Sequence, residues 1–180
     1  MDQLPVLQHC LLRMWNNALN RMGAKPHLDQ SDYEAVGRMT GALSQHADEI
    51  MGELPGLEST VEQVFRALSE RDKEGRATRR SIAFRQLIQE TGRPEEEVRK
   101  VLDRFRDDDC LFLLPSKSSV PVLRDDARID VVHEALLRGW EKISATTYKL
   151  PDGSVRSGWL AEEQRDGELY RLMLALTGAA

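Results

Sequence analysis

The residue whose type and position most suggest chemistry is His133, which lies within the segment DVVHEALLRGW at residues 130–140. This segment predicts a short strand that gives way to a helix at the histidine itself. The backbone amides of a first helical turn and an imidazole N–H would then point the same way, an arrangement that binds a phosphate oxygen. In the structural alternative, His133 only caps its helix or bonds a nearby carboxylate. The spacing taken alone favours this second alternative.

No catalytic motif accompanies this histidine. The sequence contains no GxxxxGK[ST] phosphate loop, and GxSxG, HExxH and GxGxxG are absent as well. The four histidines show no ligand spacing between any pair. A zinc site assembled from scattered residues is the weaker alternative to no metal site, and its ligands would be Cys10, His46, Cys110 and His133. We therefore expect the chain alone to be no enzyme and to hold no cofactor.

The first 55 residues predict a helical segment. In the opening helix, apolar residues recur three and four positions apart and form one stripe. Its members are Leu4, Leu7, Leu11, Met14, Trp15, Ala18 and Met22. The tetrapeptide SDYE at 31–34 predicts a capping box at the start of a second helix, which Gly37 interrupts. A third helix is predicted from about residue 41 to residue 54.

Residues 56–145 have the element order of a winged helix. The pattern predicts a helix, a strand at 77–80, two helices, a strand at 110–115 and a return strand from 120–123 and 129–132. Pro94 is placed as the first residue of the helix that carries Glu95, Glu96 and Glu97 near its positive end. A further helix over 132–143, a loop or small hairpin at 144–157 around PDG (151–153) and a last helix follow.

The predicted fold class is therefore mainly α. We expect a helical segment at 1–55, a winged-helix domain with a small β-wing at 56–145, and an insertion loop with a C-terminal helix at 146–180.

Three segments resemble those of bacterial STAND NTPases, which are NACHT/NB-ARC-like switches. DVVHEALLRGW (130–140) resembles their HE-[AS]-L-[IL]-R-x-W signature, and LPVLQHCLLRMW (4–15) is similar to their LPLLQHAL-R-W helix. The stretch SDYEAVGRMTGALSQHADEIMGEL (31–54) resembles the helix pair that follows that helix. The resemblance covers roughly residues 3–143, together with GWLAEEQRDGELYRL at 158–172. The stretch 144–157 looks like an insertion between Trp140 and Trp159.

This resemblance implies the regulatory arm of an ATP-dependent switch, whose P-loop ATPase core precedes the helical and winged-helix parts. Pro5 matches the sensor proline that packs near adenine. His133 matches the histidine that contacts the β-phosphate of bound ADP in the closed, inactive state. Exchange for ATP would release that contact and allow oligomerisation.

By the same resemblance, ADP or ATP with Mg²⁺ belongs to the parent protein. The partners are an ATPase core, in the same or an associated polypeptide, and neighbouring protomers. We expect the chain to be a fragment that hydrolyses no ATP and binds nucleotide weakly or not at all.

A competing interpretation is a free-standing winged-helix DNA-binding regulator. Its contacts to the DNA backbone would come from four cations, Arg79, Arg80, Arg99 and Lys100. In such folds the start of the recognition helix meets the bases, and here that start carries three carboxylates. A formal net charge of -5 also argues against a protein that covers phosphates. We favour cations that are solvated or bind acidic side chains, which makes nucleic acid an unexpected partner. A protein-interaction adaptor with no nucleotide role is the third interpretation.

Two further features bear on where the protein works. No apolar run approaches the ~20 residues needed to span a bilayer, and the N-terminus lacks the basic region of a signal peptide. Cys10 and Cys110 have no CxxC partners and stand beside apolar residues, which favours two reduced, half-buried thiols. We therefore expect a cytoplasmic protein without a membrane partner.

Overall fold

The computed structural model describes residues 3–22, 26–74, 76–150 and 152–177. Helices dominate these ranges, and the strands are short and antiparallel, which confirms the predicted mainly α class. None of the described helices is long and apolar enough to cross a bilayer. Pro151 of the predicted turn and the side chain of Met22 lie outside the described residues.

Three helices form the N-terminal part: α1 (Gln3–Met22), α2 (Gln30–Ala35) and α3 (Arg38–Gly52). The N-cap of α2 is Asp29, whose carboxylate accepts hydrogen bonds from the backbone N–H groups of Ser31 and Asp32. The Asp32 carboxylate accepts in return from the Asp29 backbone. The capping box predicted at Ser31 is therefore wrong by two residues, because the Asp29 carboxylate already satisfies the free amides. Gly37 separates α2 from α3 as predicted, with a left-handed φ of 82°.

The apolar stripe of α1 divides between two environments. Cys10, Met14 and Ala18 are buried, and the first two share a small cluster with Val36 and Ala42. Ion pairs between Arg and Asp or Glu side chains also hold α1 to α2 and α3. Val6 is half-buried against the main core. Six further apolar side chains of α1 are exposed: Leu4, Leu7, Leu11, Leu12, Trp15 and Leu19. The single predicted stripe is therefore two faces, of which only one has a partner among the described residues.

Eight elements make up the middle of the chain. They are α4 (Glu58–Ala67), β1 (Ser69–Arg71), β2 (Ala77–Arg79), β3 (Ile82–Ala83), α5 (Phe84–Thr91), α6 (Glu95–Phe105), β4 (Leu113–Leu114) and β5 (Arg128–Val131). β1 and β2 pair as an antiparallel hairpin, and the other strands form a three-stranded antiparallel sheet in the order β3-β5-β4.

The strand predicted at 77–80 does not join the three-stranded sheet. It pairs instead with β1, a strand that the sequence pattern did not indicate. The turn between them is closed locally, because the Asp72 carboxylate accepts hydrogen bonds from the backbone N–H groups of Glu74 and Arg76. The short strand β3, which the sequence pattern did not indicate, pairs with β5.

Two other local predictions need correction. Pro94 is the N-cap of α6 and not its first helical residue, because its backbone is extended, with a ψ of 137°. Of the strand predicted at 110–115 only β4 forms, and the return strand predicted from 120–123 and 129–132 forms only in its second part, as β5. The carbonyl groups of residues 116, 120 and 121 accept hydrogen bonds from the buried Arg106 guanidinium. The backbone at 116–121 therefore packs around Arg106 and does not extend strand β4.

The C-terminal part contains α7 (Glu134–Gly139), α8 (Glu141–Ser144), β6 (Tyr148–Lys149), β7 (Val155–Arg156) and α9 (Trp159–Thr177). The one helix predicted over 132–143 breaks at Trp140, whose backbone is extended. The break lets the backbone N–H of Glu141 donate to the Ser44 hydroxyl on α3. The indole of Trp140 enters the main core, which includes side chains from α3 to α9.

The predicted insertion forms a hairpin, as its PDG turn indicated, and it closes on itself. β6 pairs with β7, and the backbone N–H of Gly158 donates to the Ala145 carbonyl at 3.0 Å. The two ends of the hairpin therefore lie next to each other, at Ala145 and Gly158. Trp159 still packs on Trp140, with ring centroids 5.2 Å apart.

Replacing Gly158 with alanine should lower the free energy of unfolding by about 1–3 kcal/mol, the usual cost of overpacking. The added Cβ would lie 2.3 Å from the Ala145 carbonyl oxygen and 3.1 Å from the Ile143 carbonyl oxygen, and both are backbone atoms. Urea denaturation measures the change. Gly41→Ala is the matched control, because nothing lies within 4 Å of its added Cβ. Equal midpoints for the two variants would contradict the close approach at Gly158.

Candidate functional site

Pro5 and His133, far apart in sequence, line one cleft of about 60 Å³. The cleft lies where α1 meets α7 and the segment that precedes β4. Its remaining lining consists of His9, Leu43, Leu111, Phe112, Val132, Ala135 and Leu136. The structure thus places together the two residues that the family resemblance assigned to a bound nucleotide. The cleft is several-fold smaller than the ~300 Å³ of a typical small-molecule site, so it can receive only one edge of such a ligand.

The ring of His133 is exposed at the cleft. His133 is the N-cap residue of α7, but its side chain makes no capping hydrogen bond. The His133 carbonyl accepts from the backbone N–H of Leu136 at 3.0 Å, but the imidazole makes no hydrogen bond with any other residue that the structure describes. Because α7 has only six residues, its dipole adds little to the predicted anion site. The group available to an anion is therefore the imidazole itself.

Charges next to His133 are balanced within one turn of α7. Glu134 receives a hydrogen bond from Arg138 at 2.6 Å, and Arg138 also donates to the Ala77 carbonyl on β2. An anion that approached His133 would therefore meet a carboxylate that is already paired. This pairing reduces the repulsion that Glu134 would otherwise exert.

A pair of histidines, His9 and His46, lies beside this cleft, and sequence reasoning missed it. Nε2 of His9, on α1, is 3.1 Å from Nδ1 of His46, on α3, so one ring donates an N–H and the other accepts. Phe112 packs against both rings, with each centroid 5.1 Å from its own. His9 lines the cleft together with His133. Spacing gives no sign of this pair, because 37 residues separate its members.

Burial keeps both of these imidazoles neutral over a wide pH range. Burial, the facing imidazole and the Arg13 guanidinium lower the pKa of His9 to about 4. Burial and then Arg13 lower the pKa of His46 to about 4, against an opposing effect of Glu49. At neutral pH the pair is therefore an uncharged hydrogen bond in the contact between α1 and α3.

The four cations of the DNA-binding interpretation do not lie in the cleft. Arg80 forms two hydrogen bonds with Glu90, at 2.6 and 2.9 Å, which raise the pKa of Arg80 and lower that of Glu90. Arg99 bonds Glu95 and also stacks over the ring of Phe84. The remaining two are Arg79, which faces Asp130 at 3.9 Å, and Lys100, which is exposed. Three of the four therefore face carboxylates of the chain itself.

Burial sets the chemistry of the two cysteines. Cys10 and Cys110 are both free, as expected, and are buried more deeply than the sequence suggested. Burial raises the pKa of both thiols, that of Cys110 to about 11. Among the described residues, no group of three or more His, Cys, Asp or Glu side chains is placed to hold a metal ion.

The chain was also compared with known proteins. The model of a family described as Novel STAND NTPase 1 matches residues 1–164. The comparisons found no match among curated proteins and none among solved structures. The family match includes both Pro5 and His133, and it extends into α9.

Proposed function

This chain belongs to the novel STAND NTPase 1 family, and from that premise we propose that it is the regulatory arm of a signalling ATPase. In this role the cleft of Pro5 and His133 closes over ADP that an ATPase core holds. The observation that carries the proposal is the placement of these two residues in one cleft. Because the sequence contains no phosphate loop, the chain alone neither hydrolyses ATP nor retains nucleotide.

The chemistry of the cleft suits one edge of a nucleotide. Pro5 offers a half-buried apolar ring for a base, and His133 offers an exposed imidazole for a phosphate oxygen. The rest of the ligand, with Mg²⁺ and the triphosphate-binding groups, must be covered by the core. This division explains how the arm senses the nucleotide without binding it tightly by itself.

We propose a winged helix as the frame of this arm. The element order α4, β3, α5, α6, β4, β5 and the sheet order β3-β5-β4 support that assignment. The hairpin of β1 and β2 is an addition to the pattern. In this interpretation the acidic start of α6 is a solvated surface and the wing spans 115–127.

The exposed apolar face of α1 is the surface proposed to meet the ATPase core. Six apolar side chains, including Leu11 and Trp15, are exposed on a helix whose first turn carries Pro5. Exposed apolar patches of this kind mark protein contacts. Docking there would place Pro5 and the cleft against the core and its nucleotide.

The switch itself follows from differential binding. A hydrogen bond between an imidazole and a charged phosphate oxygen contributes about 1.5–3 kcal/mol, which shifts a two-state population tenfold or more. ADP would stabilise the closed arrangement through His133. Exchange for ATP would remove that preference, release the arm and expose surfaces for oligomerisation.

The test joins this chain to its upstream ATPase core. We expect His133→Ala to weaken ADP retention by roughly tenfold to a hundredfold, the equivalent of one charge-assisted hydrogen bond. Release of a fluorescent ADP analogue measures retention, and light scattering measures oligomerisation, which should begin at lower ATP concentration. His27→Ala is the control, because His27 is exposed and lies outside the cleft. ADP release and activation unchanged by His133→Ala would refute the switch.

A further inference from the structure

The rings of His9, His46 and Phe112 join three parts of the fold. They come from α1, α3 and the segment before β4, and every pair of ring centroids is 5.1 Å apart. His9 also lines both the cleft that contains His133 and a larger cleft, which His46 lines as well. The same cluster therefore contacts α1 and forms part of the edge of the candidate site.

Charged groups surround the pair from every element packed against it. Arg13 on α1 is bonded to Glu49 on α3 at 2.5 Å. Arg104 on α6 is bonded to Glu53 and Asp109, and His133 lines the same cleft as His9. Glu49 and Glu53 favour a protonated His46, but burial, with the guanidinium groups, outweighs them, and the pKa of both imidazoles is lowered.

We propose that His9 and His46 form a proton-sensitive clasp in which His46 is a positioning residue: it holds His9, and with it α1, at the edge of the His133 cleft. The clasp is a property of this chain alone. It rests on the proposed function only for the identity of the ligand whose site it shapes.

The chemistry of the clasp depends on how many protons the pair holds. With no extra proton, one ring donates its N–H to the free nitrogen of the other. With one extra proton the hydrogen bond survives as an imidazolium–imidazole pair. A second proton leaves two N–H donors facing each other at 3.1 Å with no acceptor between them, beside Arg13. The two cations then repel each other, and α1 separates from α3.

The direction of the pH effect follows from the lowered pKa values. Both groups titrate at about 4 when the clasp is closed and near 6.5 when they are exposed. The open form therefore binds more protons between these values, so closure is unaffected above pH 6.5 and weakens as the pH falls towards 4. Between pH 7.5 and pH 5.0 the linkage predicts about a 30-fold rise in the opening equilibrium for each imidazole released.

Hydrogen exchange of the 180-residue chain, read by mass spectrometry and corrected for intrinsic exchange rates, tests the clasp. We expect amide protection in α1 to fall at least 30-fold from pH 7.5 to pH 5.0, while the amides of α4 and α6 that exchange without global unfolding keep their protection. The double variant His9→Gln with His46→Asn keeps amide groups near the positions of Nε2 and Nδ1 but cannot titrate. Its α1 protection should change less than threefold, and His27→Gln should behave like the wild type.

Two results would overturn the clasp: α1 protection that is independent of pH in the wild type, or a full pH effect in the double variant. If the double variant fails to fold, the single variant His46→Asn decides the question, since a clasp requires its pH response to be smaller than that of the wild type. No nucleotide is used in these measurements. The clasp can therefore fail while the His133→Ala result stands, and the reverse also holds.

Discussion

Trp140→Ala is expected to lower the free energy of unfolding by about 3–5 kcal/mol, the range for truncating a fully buried aromatic side chain. The indole packs against Phe65 at 5.0 Å, Phe105 at 5.9 Å and Trp159 at 5.2 Å between ring centroids. Its Nε1–H donates to Asp48 on α3 at 2.8 Å. Truncation would leave a cavity at the break between α7 and α8, one helix away from His133.

Urea denaturation followed by circular dichroism at 222 nm measures this loss without depending on tryptophan fluorescence. Trp140→Phe should recover most of the stability, because the ring volume is largely kept while the bond to Asp48 is lost. Trp15→Ala is the matched control on an exposed face of α1, where the expected loss is below about 1 kcal/mol. A loss at Trp140 as small as the loss at Trp15 would contradict its place at the centre of the core.

Arg106→Met is expected to lower the free energy of unfolding by about 3 kcal/mol, the lower end of the range for removing one partner of a buried ion pair. Arg106 is only 1% exposed. Its guanidinium bonds the Asp103 carboxylate at 2.9 Å and the carbonyls of Val120 and Pro121 at 2.6 and 3.1 Å. Methionine fills much of the volume but leaves these acceptors without a donor. The lower end applies because the Asp103 side chain is 32% exposed and partly hydrated.

The same denaturation measurement serves here, and hydrogen exchange at residues 116–121 reports the local effect. Arg85→Met is the control, because the pair of Arg85 with Asp125 is exposed on both sides, and such pairs contribute about 0–1 kcal/mol. Similar losses for the two variants would show that Arg106 does not hold this loop.

Local periodicity and capping chemistry determined much of the fold. The helices α4, α5 and α6 appear where apolar residues recur at helical spacing, and α5 ends at Gly92, whose φ is +61°. The PDG turn predicts a loop or a small hairpin, and the structure has the hairpin. These features depend on interactions within a few residues, so their signals lie in the adjacent sequence. Where a second local group competed, as Asp29 did with Ser31 for the cap, the prediction missed by a residue or two.

The candidate site divides in the same way. His133 was identified from its own segment and Pro5 from the family resemblance, but that they share a cleft was decided by how α1 packs on α3 and α7. Nothing in the sequence indicated the His9–His46 pair, because neither histidine belongs to a recognisable motif and 37 residues separate them. The sequence by itself determined most of the helices and the family. The tertiary structure decided which face of each helix is covered and which side chains meet, because those contacts join residues whose separation along the chain carries no periodic signal.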